Sequence, residues 1–126
     1  MPSLQWLVRA VSSPQSITHV MTDSEFQAQA EATFGAIERA VEAVDIDAEI
    51  ERSGSVLTLE FANATKVVVN TQAPMQQIWI AARSGGFHFG WVDGQWRDTR
   101  DGRELFAALS AIVSAQSGTA VVLGAR

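Results

Sequence analysis

Between Thr22 and Val44 the apolar side chains recur at helical spacing. Phe26, Ala30, Phe34, Ile37, Val41 and Val44 fall within one arc when placed at about 100° per residue. Thr22-x-x-Glu25 in front of them has the form of a capping box. The period then changes from helical to alternating. Ile46–Ile50 puts Ile46, Ala48 and Ile50 on one side. Ser53-Gly54-Ser55 turns into Val56–Phe61, with Leu57, Leu59 and Phe61 inward, and Asn63-Ala64 turns into Lys66–Asn70. Gln77–Ala82 follows, with Ile78 and Ile80 inward. Gly85-Gly86 leads into Phe87–Val92, and Asp93-Gly94, a favoured hairpin turn, leads into Gln95–Asp98. Helical spacing returns at Leu105, Phe106, Leu109, Ile112 and Val113, with Asp101-x-x-Glu104 as the expected start and Asp101 as its cap. Beyond Gln116-Ser117-Gly118 the tail Ala120–Leu123 is apolar and extended.

A helix, about six closely spaced strands and a second helix predict an antiparallel meander with both helices on one face. This is a two-layer α/β sandwich of the α+β class. The uncovered face of such a sheet meets solvent or a partner. By parity it carries Asn70, Gln72, Gln77, Trp79 and His88, whereas Trp91 and Trp96 share the parity of the core. A Trp directed away from the core among amides suits the anchor of a protein interface. For the amides the plain alternative is turn stabilisation around Pro74.

The 126 residues fit one domain, expected over 21–126. Residues 1–20 differ from the rest, with no acid, one base (Arg9) and an apolar patch, Leu4–Val8, too short for a signal peptide. They are expected to form a dispensable extension. No apolar run reaches the roughly 18 residues of a membrane span.

Charge changes the picture more than composition does. There is no cysteine, which excludes disulfides, thiolate metal sites and a cysteine nucleophile, and fits a reducing compartment. The net charge of −5 disfavours nonspecific nucleic-acid binding. Ten acids stand against two arginines between Asp23 and Glu60, whereas four acids stand against six bases from Thr65 onward. Glu31, Glu38, Glu42 and Asp45, at spacings of seven, four and three, share one stripe of the predicted helix. Asp45, Asp47, Glu49 and Glu51 alternate along the first strand. Together they predict a carboxylate ridge suited to hard cations, as shallow exposed sites of low affinity. The plain alternative is a solvated acidic surface. An EF-hand is excluded: counted from Asp45, loop position six is Ile50 and position twelve is Val56, where Gly and Glu are required. No P-loop, dinucleotide fingerprint or Ser/His/Asp spacing occurs, and exposed paired carboxylates lack the burial that tunes a general acid.

The run Asn70-x-Gln72-x-Pro74-x-x-Gln77-Ile78-Trp79-Ile80-Ala81 resembles the signature of the frataxin family. Met21-Thr22-Asp23-Ser24-Glu25-Phe26 is similar to the start of its bacterial members, and the resemblance extends to about Gly118. It implies the same sandwich and an iron-binding accessory protein that regulates iron–sulfur cluster assembly without being an enzyme. The implied partners are the cysteine desulfurase, met by the acidic ridge, and the scaffold protein, met by the Trp79 face. Iron, as Fe2+ or Fe3+, is the implied cation, held weakly by Glu31, Glu38, Glu42, Asp45, Asp47 and Glu49. Arg39 and Ala43 stand where the family's helix pattern often carries acids, and Gln27 where some members place histidine. The expected location is the cytoplasm, and the expected state without iron is a monomer that binds neither nucleic acid nor membrane. The alternatives are an iron store or chaperone and a ferroxidase, each acting through the ridge.

Deleting residues 1–20 should leave the melting temperature and partner binding nearly unchanged, because the capping box can start the helix without them. A large fall in thermal stability would show that the segment belongs to the folded unit.

Overall fold

The computed structural model describes residues 20–124. The expectation for the amino-terminal extension therefore falls almost wholly on residues 1–19, outside the described residues. Helix α1 (Asp23–Ala43) is followed by strands β1 (Ala48–Ser53), β2 (Val56–Phe61) and β3 (Lys66–Gln72). A short 3-10 turn (Ala73–Met75) leads to β4 (Gln77–Ala82), β5 (Gly85–Val92), β6 (Gln95–Asp98) and helix α2 (Leu105–Ser117). The six strands form one sheet in sequence order, each antiparallel to the next. This is the predicted sandwich. Three of its hairpins have two-residue loops, closing at Ser53↔Val56, Ala82↔Gly85 and Val92↔Gln95. In the last of these Asp93 and Gly94 both take left-handed backbone, φ 52° and 81°, as a type I′ turn requires.

The core is the inner face of the sheet against the apolar stripes of both helices. Phe26, Phe34 and Ile37 of α1 and Leu105 and Leu109 of α2 are fully buried. They meet Leu57, Leu59, Val67, Val69, Ile78, Ile80 and Phe89 from four successive strands. Each such side chain contributes about 1.5–3 kcal/mol by leaving water. The capping box forms: Thr22 Oγ1 accepts from the Glu25 backbone N–H at 3.1 Å, and Glu25 Oε1 accepts from the Thr22 N–H at 2.8 Å. Phe26 and Trp96 meet edge to face, as do Trp91 and Trp96, so the aromatic residues of core parity lie where alternation put them.

Two buried polar side chains fasten the helices to the sheet. Thr33 Oγ1 donates to the Gln29 carbonyl and accepts from Trp96 Nε1 at 2.8 Å, linking α1 to β6. Gln116, near the end of α2, accepts from the Arg83 N–H at 2.9 Å and donates to Thr65 Oγ1 and the Lys66 carbonyl. Its own carbonyl accepts from Asn63 Nδ2 at 2.8 Å. One residue thereby ties the helix to two turns of the sheet. The tail returns along α2, with the backbones of Val121 and Leu123 held by the hydroxyls of Ser114 and Ser110.

The start of α2 differs from expectation. Its cap is Glu104, whose carboxylate accepts from the Phe106 and Ala107 N–H groups at 2.8 and 3.1 Å. Asp101 does not cap the helix because the chain is still turning there. Buried Asp98 accepts from the Arg100 and Asp101 N–H groups, and an isolated Arg97↔Glu104 bridge extends sheet pairing up to the helix. Asp101 instead accepts from the Arg103 N–H at 2.9 Å, which with the Arg103 charge holds its carboxyl below the usual range. Strand β1 starts at Ala48 rather than Ile46, although Ile46 still packs on the core, and β3 runs on to Gln72.

Thr33→Val should cost about 1–3 kcal/mol, because it preserves shape and leaves the Trp96 N–H buried without an acceptor. Urea unfolding of the two proteins measures it; equal midpoints would mean that the indole finds another acceptor.

Candidate functional site

The uncovered sheet face is built by hairpin register. Asn70, Trp79 and His88 lie side by side across β3, β4 and β5. The next row runs Gln72, Gln77, Gly90, Arg97 across β3 to β6. All five residues expected on this face are therefore brought together. Trp79 is half-buried and His88 exposed. Their rings stack with centroids 4.0 Å apart and planes 9° from parallel. The Trp79 indole N–H donates to Gln77 Oε1 at 2.8 Å, and Gln72 Nε2 donates to Asn70 Oδ1 at 3.0 Å. A stacked, hydrogen-bonded Trp is already held in place, so burying it against a partner forfeits little further side-chain freedom. Gln77 spends its acceptor on Trp79 and leaves its NH2 outward, while Gln72 leaves its carbonyl oxygen outward.

The acidic residues of α1 and β1 fall into three groups by their surroundings. Arg52 lies on the helix-facing side of β1, its guanidinium 5.0 Å from the centre of the Phe34 ring. It reaches Glu31 at 2.6 Å and Glu38 at 3.7 Å. Glu31 is 71% exposed, so its pair with Arg52 contributes little to stability. Still, two carboxylates of the predicted stripe face a cation of their own chain. Glu42, Asp45 and Asp47 stay exposed around the carboxyl end of α1. The last turn of that helix holds no base, so the partial negative charge of the helix end adds to theirs. Glu49 and Glu51 point to the open sheet face, where Glu49 sits directly opposite Glu60. Among the described residues no three His, Cys, Asp or Glu side chains converge on a point that could hold a metal ion. The carboxylates form a diffuse negative field around one edge of the sheet.

Sequence reasoning missed three members of this surface. Arg52 shares the inward parity of Ala48 and Ile50, so alternation was the signal for its contact with α1. Glu60 alternates with inward Leu59 and Phe61, and Arg97 follows inward Trp96, which together mark the acidic and basic sides of the open face.

Among the described residues no helix is long and apolar enough to cross a membrane. A family model described as a frataxin-like domain matches residues 19–119. A relative from Paraburkholderia phytofirmans, named iron-sulfur cluster assembly protein CyaY, is 60% identical over 101 residues, covering 80% of this chain and 96% of its own. A protein of the same name from Burkholderia mallei is 49% identical over 108 residues, covering 83% of this chain and 100% of its own. Among solved structures, a frataxin from Psychromonas ingrahamii superposes with a TM-score of 0.76 at 40% identity, over 80% of this chain and 96% of that one. Trimeric yeast frataxin in a ferrous complex gives a TM-score of 0.60 at 26% identity, over 82% of this chain and 92% of that one. By the match of its sequence along most of its length and by the agreement of its sheet and helices with solved relatives, the chain belongs to the frataxin family.

Proposed function

We propose that this chain serves iron–sulfur cluster assembly in the cytoplasm as a non-enzymatic accessory protein. It docks on the complex of cysteine desulfurase and scaffold protein and regulates cluster formation there. The observation that carries this reading is the open sheet face. Trp79 is pre-positioned by His88 and Gln77 among outward amides, on a domain 60% identical to a relative named for cluster assembly. The fixed aromatic supplies contact area, and the amides supply hydrogen bonds that fit a partner's backbone.

Iron enters as cargo and signal. The ferrous complex of the yeast relative supports it as the cation. Glu42, Asp45, Asp47 and Glu49 are the carboxylates most open to it, whereas Glu31 and Glu38 exchange Arg52 for the metal when they bind. Oxygen ligands without a closed cage give weak, multi-site, reversible binding. The same field steers a basic desulfurase surface toward α1 and β1. The second reading, an iron store or ferroxidase, draws on the same yeast complex. A pull-down of the partner complex in the absence of metal favours the adaptor when it succeeds, and oxygen uptake with Fe2+ favours the ferroxidase.

Trp79→Ala should unfold close to the parent and bind the scaffold–desulfurase complex at least tenfold more weakly, since a central interface Trp contributes roughly 2 kcal/mol or more. Unfolding and binding measured on one preparation decide this; a large loss of stability would place Trp79 in the core. Replacing Glu42, Asp45 and Asp47 together by their amides should weaken Mn2+ or Fe2+ binding and leave the fold intact. Removing negative charge from the helix end should raise stability by a few tenths of a kcal/mol. Metal titration and thermal unfolding check both halves, and a single tight site that survives the triple change would refute the shared-field description.

A further inference from the structure

Gly90 lies on the open face of β5, one strand in from the β6 edge, at a place where the fold does not need glycine. Its backbone is ordinary strand, and a Cβ added there would meet nothing within 4 Å. Glycine inside a strand forfeits packing and costs conformational entropy. What it leaves here is a notch. On either side stand Gln77 of β4 and Arg97 of β6, both in register with Gly90. With strands about 4.8 Å apart, the two flanking backbones are roughly 10 Å from each other. The stacked Trp79 and His88 form the neighbouring row.

The groups that flank the notch are donors. Gln77 has committed its carbonyl oxygen to the Trp79 indole, so its NH2 is what it offers. Arg97 spends two of its five N–H groups on neutral acceptors, the Gly102 carbonyl at 2.9 Å and Gln95 Oε1. Among the described residues no carboxylate pairs with it. On the same face, at the far edge of the sheet, stand Glu49, Glu51 and Glu60. The open face thus carries glutamates at β1 and β2 and the guanidinium of Arg97 at β6, with the aromatic stack between.

We infer that the Gly90 notch receives an acidic side chain of the docking protein, its carboxylate bonded to Arg97 and the Gln77 amide while its backbone lies against Trp79. The inference rests on the open face being the protein-docking surface. The occupant is a protein carboxylate because a side chain attached to a partner that already covers Trp79 arrives with its position fixed, whereas a free anion meets a flat, water-exposed site on a chain of net charge −5. The two ends of the face also set the partner's orientation, with acidic groups toward β6 and basic groups toward β1.

Filling the notch is the direct test. Gly90→Val should unfold at or above the parent's melting temperature, since a Cβ there meets nothing within 4 Å and valine suits a strand. It should nevertheless bind the purified scaffold protein roughly tenfold or more weakly. Gly90→Ala should give a smaller loss. Arg97→Gln should weaken binding at low salt and flatten its dependence on ionic strength, and Arg97→Lys should recover part of the affinity. If Trp79→Ala loses binding while the Gly90 and Arg97 variants bind like the parent, the notch is empty in the complex and the inference falls, with the docking face intact. If Trp79→Ala also binds like the parent, the docking face itself is wrong and the notch goes with it.

Discussion

Among the described residues two helices cover one side of a six-stranded sheet and none covers the other, and pleat parity carries that division into every strand. A one-residue slip in β4 would exchange Trp79 with Ile78 and Ile80, putting an indole into the core and two isoleucines into solvent. The two fully buried isoleucines are worth several kcal/mol together on the scale of about 1.5–3 each, so register is held from the core side. The outer face inherits its arrangement without having to stabilise it. That separation leaves the outer positions of β3 to β6 free to carry amides, an imidazole, an indole and a bare glycine.

The division is reinforced where the layers meet. Thr33 and Gln116 place satisfied polar groups inside an apolar core, and each joins elements more than fifty residues apart in sequence. A buried hydrogen bond adds only about 1 kcal/mol, but a misplaced helix would leave its donor or acceptor unpaired and cost more. Apolar packing draws the helices onto the sheet; these bonds fix where along it they rest. Arg52 works similarly at the margin, lying over Phe34 and meeting two glutamates of α1 from the first strand.

Most of this architecture was legible in the sequence, because period and turn chemistry are local. Phe26 to Val41 showed one helical stripe, Asp93-Gly94 announced its hairpin, and the alternation of Gln77, Ile78, Trp79 and Ile80 put the indole on the open side. The features that escaped depend on neighbours distant in the chain. The cap of α2 moved from Asp101 to Glu104 because buried Asp98 gathers the amides of the preceding turn. Glu31 and Glu38 could not be recognised as partners of Arg52 until β1 was laid beside α1. The row Gln77, Gly90, Arg97 exists only once two hairpin registers are set.

The strand order has a consequence for how the chain is made. Every sheet neighbour is also the next strand in sequence, so each ladder can close over a short loop as soon as its second strand leaves the ribosome. The second helix comes last, yet it supplies Leu105, Leu109 and the Gln116 clasp. Until it emerges, the growing polypeptide holds a nearly finished meander whose inner face, among the described residues, has α1 as its cover. That half-clad intermediate is the moment of greatest exposure to wrong company, and it lasts until the residues of α2 have been added, on the order of seconds at cellular translation rates.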